Sequence, residues 1–437
     1  MTSYFMDRLP QSNIENPAMI PDLRYHFSIP GLSSIYAEVA NSGFHFNDVI
    51  ENRNDSSYLL LDELINEKLR PSNHMAIHYQ HELLSVGFKA NQQLYFSFGV
   101  REHADFRFIY PKELLSLPYN GNGAYLDETV ELSPLSIQAT HYREYALGAA
   151  WEKPESWSAG LRVKLLFAMA NAWSEEAYAS LTTSSEGYTL NAEAEMLGHL
   201  TLPPGLDIDS LDNADPDLKD YLMNTANRGV GIDLGFNYFV NEDFSVSASI
   251  LDLGAIRFDK NNYNYNNART SVVFEGFDAY DYTGNNDSLI EEDIQNTLDS
   301  IADKFNIQES NNSYSMPLTT RFYLGGQYKI NDRQKAGLLF RGQFFDDAFW
   351  PALTASYQRQ FGRSLTMTAS YSVAHNSYNN IGLGAALNMG ALQFYMISDN
   401  WLAAIIPEKT KFFNLRFGFN IAARHKKPEK PTETDSD

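Results

Sequence analysis

The chain has 437 residues, and its 55 acidic against 33 basic residues leave a net charge of −22, which excludes nucleic acid or anionic phosphate as the main partner. With no cysteine, disulfide, iron–sulfur and thiolate chemistry are excluded as well. No run reaches the roughly 18 apolar residues of a transmembrane helix, yet aromatic residues make up 14 %, and a mean hydropathy of −0.37 does not argue against a barrel, which turns only alternate residues to lipid.

The opening Met1-Thr2-Ser3-Tyr4-Phe5 has neither a basic nor an apolar signal region, so no export signal is visible; a barrel then implies a start near a mature terminus, with Met1 added or left by trimming. Residues 1–22 are expected to form a short N-terminal plug or lead-in. Within it, Asn16, Pro17 and Ala18 are the plug candidates for gating a ligand, although Pro17 and Pro21 also suit a plain extended lead-in to the first strand.

A first strand is expected in 23–39. Residues 40–73 then form a loop in which Leu60, Leu61, Leu64, Ile65 and Leu69 make one apolar helical face. Strands follow at 74–89 and 92–110, joined through Ala90-Asn91, and after the loop 111–133 come 134–151 and 157–181. The loop 182–227 leads to 228–240, where Ile232, Leu234, Phe236, Tyr238 and Val240 alternate with Gly231, Asp233, Gly235 and Asn237. Asn241-Glu242-Asp243 turns into 244–258. The loop 259–315 is acidic and carries a second amphipathic helix through Leu289, Ile290, Ile294, Leu298, Ile301 and Phe305.

Seven strands close the chain, at 316–330, 335–345, 351–361, 364–374, 381–389, 391–398 and 411–423. Leu365, Met367, Ala369, Tyr371 and Val373 face Thr366, Thr368, Ser370 and Ser372; Phe413, Leu415, Phe417, Phe419 and Ile421 face Asn414, Arg416, Gly418 and Asn420. Met389-Gly390, Gly362-Arg363 and Asn331 to Gln334 are tight turns, with 346–350, 375–380 and 399–410 on the other side. The tally is about 14 antiparallel strands, an even number, with every long insertion on the same side. These features predict an all-β transmembrane barrel over 23–424, with the short turns in the periplasm and a disordered periplasmic tail at 425–437.

With strands assigned, particular residues look familiar. Tyr4-Phe5-Met6, Pro10-Gln11, Asn16-Pro17-Ala18 and Gly31-Leu32-Ser33-Ser34 resemble the mature start of an uncharacterised outer-membrane barrel family of Bacteroidota, as do Tyr142 to Gly148 and Lys164 to Phe167. The Asn-Pro-Ala opening and the stretch from Gly382-Leu383-Gly384 through Asn388-Met389-Gly390 to Asp399-Asn400 also resemble the FadL-like barrels and the PorV and SprF-type proteins of type IX secretion. The resemblance implies 14 strands, an N-terminal plug and an outer-membrane address, but no substrate. The roughly 20 residues before the first strand here are shorter than a FadL-type plug.

Chemistry-bearing clusters are few. His74 and His78 would share a strand face about 13 Å apart with His81 opposite, too far for one ion. Asp207, Asp209, Asp212, Asp215 and Asp217 offer oxygen ligands for Ca²⁺, but the central Gly and terminal Glu of an EF-hand are missing and a solvated acidic loop is the better reading. Gly382 and Gly384 precede no helix and so make no phosphate loop. Arg321, Arg341, Arg359, Arg363 and Arg416 suggest a luminal ladder salt-bridged to acids such as Asp233. No nucleophile and base pair up, so neither an enzyme nor a cofactor is expected. The expectation is a monomeric barrel in outer-membrane lipid that passes a small hydrophobic or amphipathic ligand. The alternative is a non-transporting scaffold bound to an envelope protein partner, as in secretion; a soluble all-β binding protein is the outsider.

Overall fold

In the computed structural model the described residues are all but 46–47, 49, 54–55, 188, 207–217, 275–302, 346–347 and 424–437. Fourteen antiparallel strands close into a barrel. They are β1 (Tyr25–Ser28 continued by Ser34–Asn41), β2 (Ser72–Lys89), β3 (Leu94–Pro111), β4 (Ser136–Lys153), β5 (Trp157–Thr183), β6 (Asn227–Phe239) and β7 (Phe244–Phe258). The second half comprises β8 (Tyr314–Pro317 continued by Arg321–Asn331), β9 (Gln334–Phe345), β10 (Ala348–Phe361), β11 (Leu365–Ala374), β12 (Ser377–Met389), β13 (Leu392–Ser398) and β14 (Phe412–Ala423). Each strand pairs with its neighbours in sequence, and β14 closes on β1 through Tyr25↔Ala423 and Ile35↔Phe417. Closure leaves no wall edge unpaired, which a backbone crossing lipid requires.

The alternation decides which face is which. Ile232, Leu234, Phe236 and Tyr238 are 42–45 % exposed on the outside, whereas Thr366, Thr368, Ser370 and Ser372 are at most 6 % exposed inside. No described helix is long and apolar enough to cross a membrane. Short turns cluster at one end, where Gly362 and Gly390 take φ of +59° and +67°, a backbone region open to glycine at little cost.

Three expectations need correction. Residues 375–380 are not a loop: His375 and Asn376, with φ of 51° and 58°, form a two-residue turn and β12 begins at Ser377. Residues 182–227 and 259–315 are not irregular throughout either. The 27-residue β5 outruns the barrel, and its far end pairs with Leu190–Thr201, which pairs in turn with Asn262–Phe274. Trp173, His199, Tyr314 and Phe258 stack beneath this loop-side sheet, with 4.2 Å between the His199 and Tyr314 rings. A strand pair continues past the bilayer wherever its alternation does, and Glu193, Glu195 and His199 keep that alternation. Of the two loop helices, the first is a short turn, Leu61–Glu63 running into the wider Leu64–Lys68, with Leu64 and Ile65 buried against Leu69 and Tyr110. The second lies outside the described residues except for its last positions. Glu113–Asn120, Leu218–Leu222 and Leu402–Ile405 are further short helices.

A plugged lumen as the candidate functional site

Residues 1–22 run inside the barrel, and the wall is shaped to receive them. On the inward face Gly160 and Gly235 sit directly opposite each other across the β5–β6 ladder. A Cβ at Gly160 would stand 2.3 Å from the Pro17 carbonyl, and one at Gly235 would stand 2.2 Å from Asn16 Oδ1. The glycine pair is thus a notch into which Asn16, Pro17 and Ala18 pack, backbone against backbone. Asn16 closes its own turn by accepting the Ala18 N–H at 2.9 Å, and its amide donates to Tyr4 Oη at 3.1 Å. Gly325 and Gly337 make room in the same way for Phe5.

Polar side chains of the wall grip the segment at several heights. Arg162 of β5 donates to the Asn13 carbonyl (2.5 Å) and Asn13 Oδ1 (2.8 Å), to the Ile14 carbonyl (3.2 Å), and to Asp233 (2.8 Å). Gln11 and Asn420 exchange amide hydrogen bonds at 3.0 Å in both directions. Ser158 donates to the Ala18 carbonyl at 2.8 Å and Ser249 to the Glu15 carbonyl at 2.7 Å. Between β13 and β14, Asp399 takes the Met1 ammonium at 3.1 Å and the Thr2 N–H at 2.6 Å. Burial alone would raise the Asp399 carboxyl; the ammonium, Thr2 and Asn414 outweigh burial and hold it well below the usual carboxylate range. Asp7, whose side chain is 46 % exposed, pairs with Lys335 at 2.7 Å. Burial pushes the Tyr4 phenol up to about 12.

Behind the plug a continuous ion-pair network fills the lumen. Lys164 reaches Asp233 (2.8 Å), Asp252 (2.5 Å) and Glu144 (3.6 Å); Arg101 joins Glu144 (2.6 Å) to Glu82 (3.4 Å), and Arg321 pairs with Asp252. All but Arg321 are below a tenth exposed, so each charge is held by partners instead of water. Of the expected ladder, Arg321, Arg341 and Arg416 do face inward. Arg359 does not, since it points outward over the Phe361 ring, and Arg363 sits exposed beside the Gly362 turn. The partners of Asp233 are Arg162 and Lys164, which the ladder omitted. Their signal was present: Arg162 and Lys164 occupy the polar phase between Leu161, Val163 and Leu165.

On the loop side of the plug a cavity of about 90 Å³ remains, lined among others by Glu15, Glu38, Arg321, Tyr323, Arg341 and His375. That is room for a few waters or one small polar group. Arg341 donates to Gln343 at 2.6 Å, and no protein group pairs its Nε or Glu15 Oε2, both of which are buried. Trp350 stacks on His74 at 4.1 Å, and His74 lies 3.4 Å from His375 Nδ1, itself stacked on Phe412. Trp350 also lines a second cavity of about 280 Å³ at the mouth, with His74, Pro134, Leu135 and Glu175. The Trp350–His74–His375 layer therefore partitions mouth from chamber.

The three early histidines do not converge: His74 joins this layer, His78 bonds to Asp105, and His81 reaches the Gly31 carbonyl at 3.0 Å. Asp207, Asp209, Asp212, Asp215 and Asp217 lie outside the described residues, and no metal-holding group of side chains occurs among the described ones. Gly382 and Gly384 face the plug, with Thr2 and Met6 over them.

A model of a family of unknown function, DUF5723, matches residues 17–399. No curated protein matches the chain. Among solved structures it is similar to the toluene transporter TbuX of Ralstonia pickettii, at 10 % identity over 95 % of this chain and 94 % of that one, with a TM-score of 0.42. It is also similar to the toluene transporter TodX of Pseudomonas putida (9 %, 94 % and 91 %, TM-score 0.41) and to a FadL homologue of Pseudomonas aeruginosa (9 %, 94 % and 93 %, TM-score 0.41).

Proposed function

We propose that this chain, which belongs to the DUF5723 family of unknown function, is an outer-membrane barrel that passes small amphipathic molecules through a gated lumen. The observation that carries the reading is the chamber between plug and partition, where Glu15 and Arg341 each present a polar atom that no protein group pairs, together with Glu38 and Arg321. Hydrogen-bonding capacity left for water inside a chamber is equally open to the polar group of a small molecule that displaces that water. The lining narrows the ligand class: a pure hydrocarbon would strip water from Glu38, Arg321 and Arg341 without replacing it, so the molecule must bring a polar group. The route is closed at rest, and passage requires residues 1–22 to leave their notch. Even strand number and one-sided long loops support an outer-membrane address with short turns in the periplasm. The Asn16-Pro17-Ala18 opening and the Gly382 to Asn400 stretch support kinship with FadL-like and type IX barrels and an origin in Bacteroidota.

Purified protein in vesicles, offered short-chain alcohols, acids and amines alongside plain alkanes, tests this. Flux is expected for members with a polar head, weakened by Arg341→Ala; absence of binding and flux for every member rejects it.

The buried ion-pair network favours a second reading, a barrel that works permanently closed as a scaffold in an envelope assembly. A stoichiometric partner recovered from native membranes in mild detergent, together with no flux, supports that reading over transport.

A further inference from the structure

On the outside of the wall, the outward positions of β6 read Tyr238, Phe236, Leu234, Ile232, Val230 and then Arg228. Ten residues at ~3.4 Å each, on a strand tilted by about 40°, span about 25 Å, the height of the apolar band of a membrane barrel. Arg228 therefore stands at the loop-side edge of that band. Directly opposite it across the ladder is Arg257 of β7. Like charges directly opposite on one sheet face repel, and a single carboxylate, Asp259, pairs with Arg257 at 2.8 Å, while Arg228 has no ion pair among the described residues.

The wall beside the two arginines is hollowed. Leu165, Phe167, Val230 and Ala255 line an apolar groove of about 610 Å³, with Arg228 and Arg257 at its lip. Both guanidiniums are steered through the same edge. Arg228 Nε donates to the Thr225 carbonyl at 2.8 Å, and Arg257 Nε donates to Asp259 at 2.8 Å. Asp259 thus balances one of the two charges, and among the described residues neither arginine donates a hydrogen bond from an η nitrogen.

We propose that this face binds one phosphorylated lipid of the loop-side leaflet, its phosphate held between Arg228 and Arg257 and an acyl chain laid along the groove. The chemistry fits at each level. Guanidinium forks match phosphate oxygens, the anion balances the positive charge that Asp259 leaves on the pair, and the groove runs from the lip toward the bilayer centre along Val230 and Ala255. The inference rests on reading the barrel as membrane-spanning, and it is independent of what passes through the lumen.

Native mass spectrometry of the full chain in detergent, titrated with phosphatidylglycerol, phosphatidylcholine or inorganic phosphate, tests it. Phosphatidylglycerol is expected to saturate at one per chain. Arg228→Gln and Arg257→Gln should each weaken binding about fivefold and the pair about 25-fold, the effect of about one basic side chain each at a membrane surface. Ala255→Leu, which fills the groove without touching charge, should abolish the saturable adduct, and inorganic phosphate should not compete at equal concentration. Unsaturable adducts equal in all variants overturn the site, as does a dimer that Ala255→Leu breaks, since the groove then seats a second copy. Heat-modifiable migration and vesicle insertion, read on the same samples, report the barrel itself: insertion with equal lipid retention sinks the lipid site alone, and failure to insert sinks both.

Discussion

Arg162 is the side chain on which plug seating should depend most. Replacing it by alanine removes three donations to Asn13 and Ile14 and one to Asp233, all from a side chain about 2 % exposed. Breaking one partner of a buried ion pair costs about 3–5 kcal/mol. Here the lower figure applies, because Asp233 keeps Lys164 at 2.8 Å and the Asp252 N–H at 2.8 Å. A loss of about 3 kcal/mol shifts the ratio of seated to released plug by about two orders of magnitude, at 1.36 kcal/mol per tenfold. The wild type should be electrically silent in planar bilayers and resist proteolysis within residues 1–22. Arg162→Ala should show transient openings and cleavage there, while heat-modifiable migration shows the barrel intact. Arg162→Lys, which can still reach Asp233 but cannot fork onto Asn13, should fall between the two. An Arg162→Ala protein as silent and as protected as wild type would refute the view that this contact locks the plug.

Three further outcomes are expected. Gly235→Val puts a branched side chain where a single Cβ already meets Asn16 at 2.2 Å, so overpacking of about 1–3 kcal/mol should loosen residues 1–22 and lower the melting temperature, whereas Gly123→Ala, with nothing within 4 Å, should do neither. The lowered pKa of Asp399 means that the unfolded chain takes up this proton first as pH falls. Its stabilisation should be complete above about pH 4, near the ordinary carboxylate value, should shrink as pH falls below that, and should be gone once pH has passed through the lower folded value. Asp399→Asn should flatten that acid limb of plug protection, and an unchanged limb would exclude the assignment. Trp350→Ala should join mouth cavity to chamber and raise binding on-rates for the polar-headed probes; unchanged rates would show that the Trp350 layer is no barrier.

The barrel was legible because period-2 alternation is a local property. Thr366 to Ser372 and Ile232 to Tyr238 declare their faces in sequence, and glycine-bearing turns such as Met389-Gly390 mark the hairpins. The site was legible only in part. Asn16-Pro17-Ala18 could be singled out, but the notch that holds it depends on Gly160 and Gly235 being paired 75 residues apart in sequence, and pairing across a wall leaves no trace in either strand alone. The arginine ladder failed at Arg359 for a related reason. Residue type alone suggests a luminal arginine, while its phase with Leu353, Ala355 and Tyr357 places it outside. The loop-side sheet was missed because long acidic insertions were weighed by charge, which masks the alternation of Glu193 and Glu195 with Ala192, Ala194 and Met196.

The contacts of the first residues also dictate an order of assembly. Thr2 binds Asp399 across 397 positions, Gln11 binds Asn420 across 409, and Gln393 donates to the Arg8 carbonyl across 385. None of these partners exists as a surface until β13 and β14 have zipped and β14 has met β1, so residues 1–22 have a complete seat only in the closed barrel. Contacts this distant in sequence are slow to form, because loop closure precedes any reward. A barrel closed before its plug is seated would hold water around Arg162, Asp233 and Lys164. Such a barrel would conduct, and seating the plug would close it.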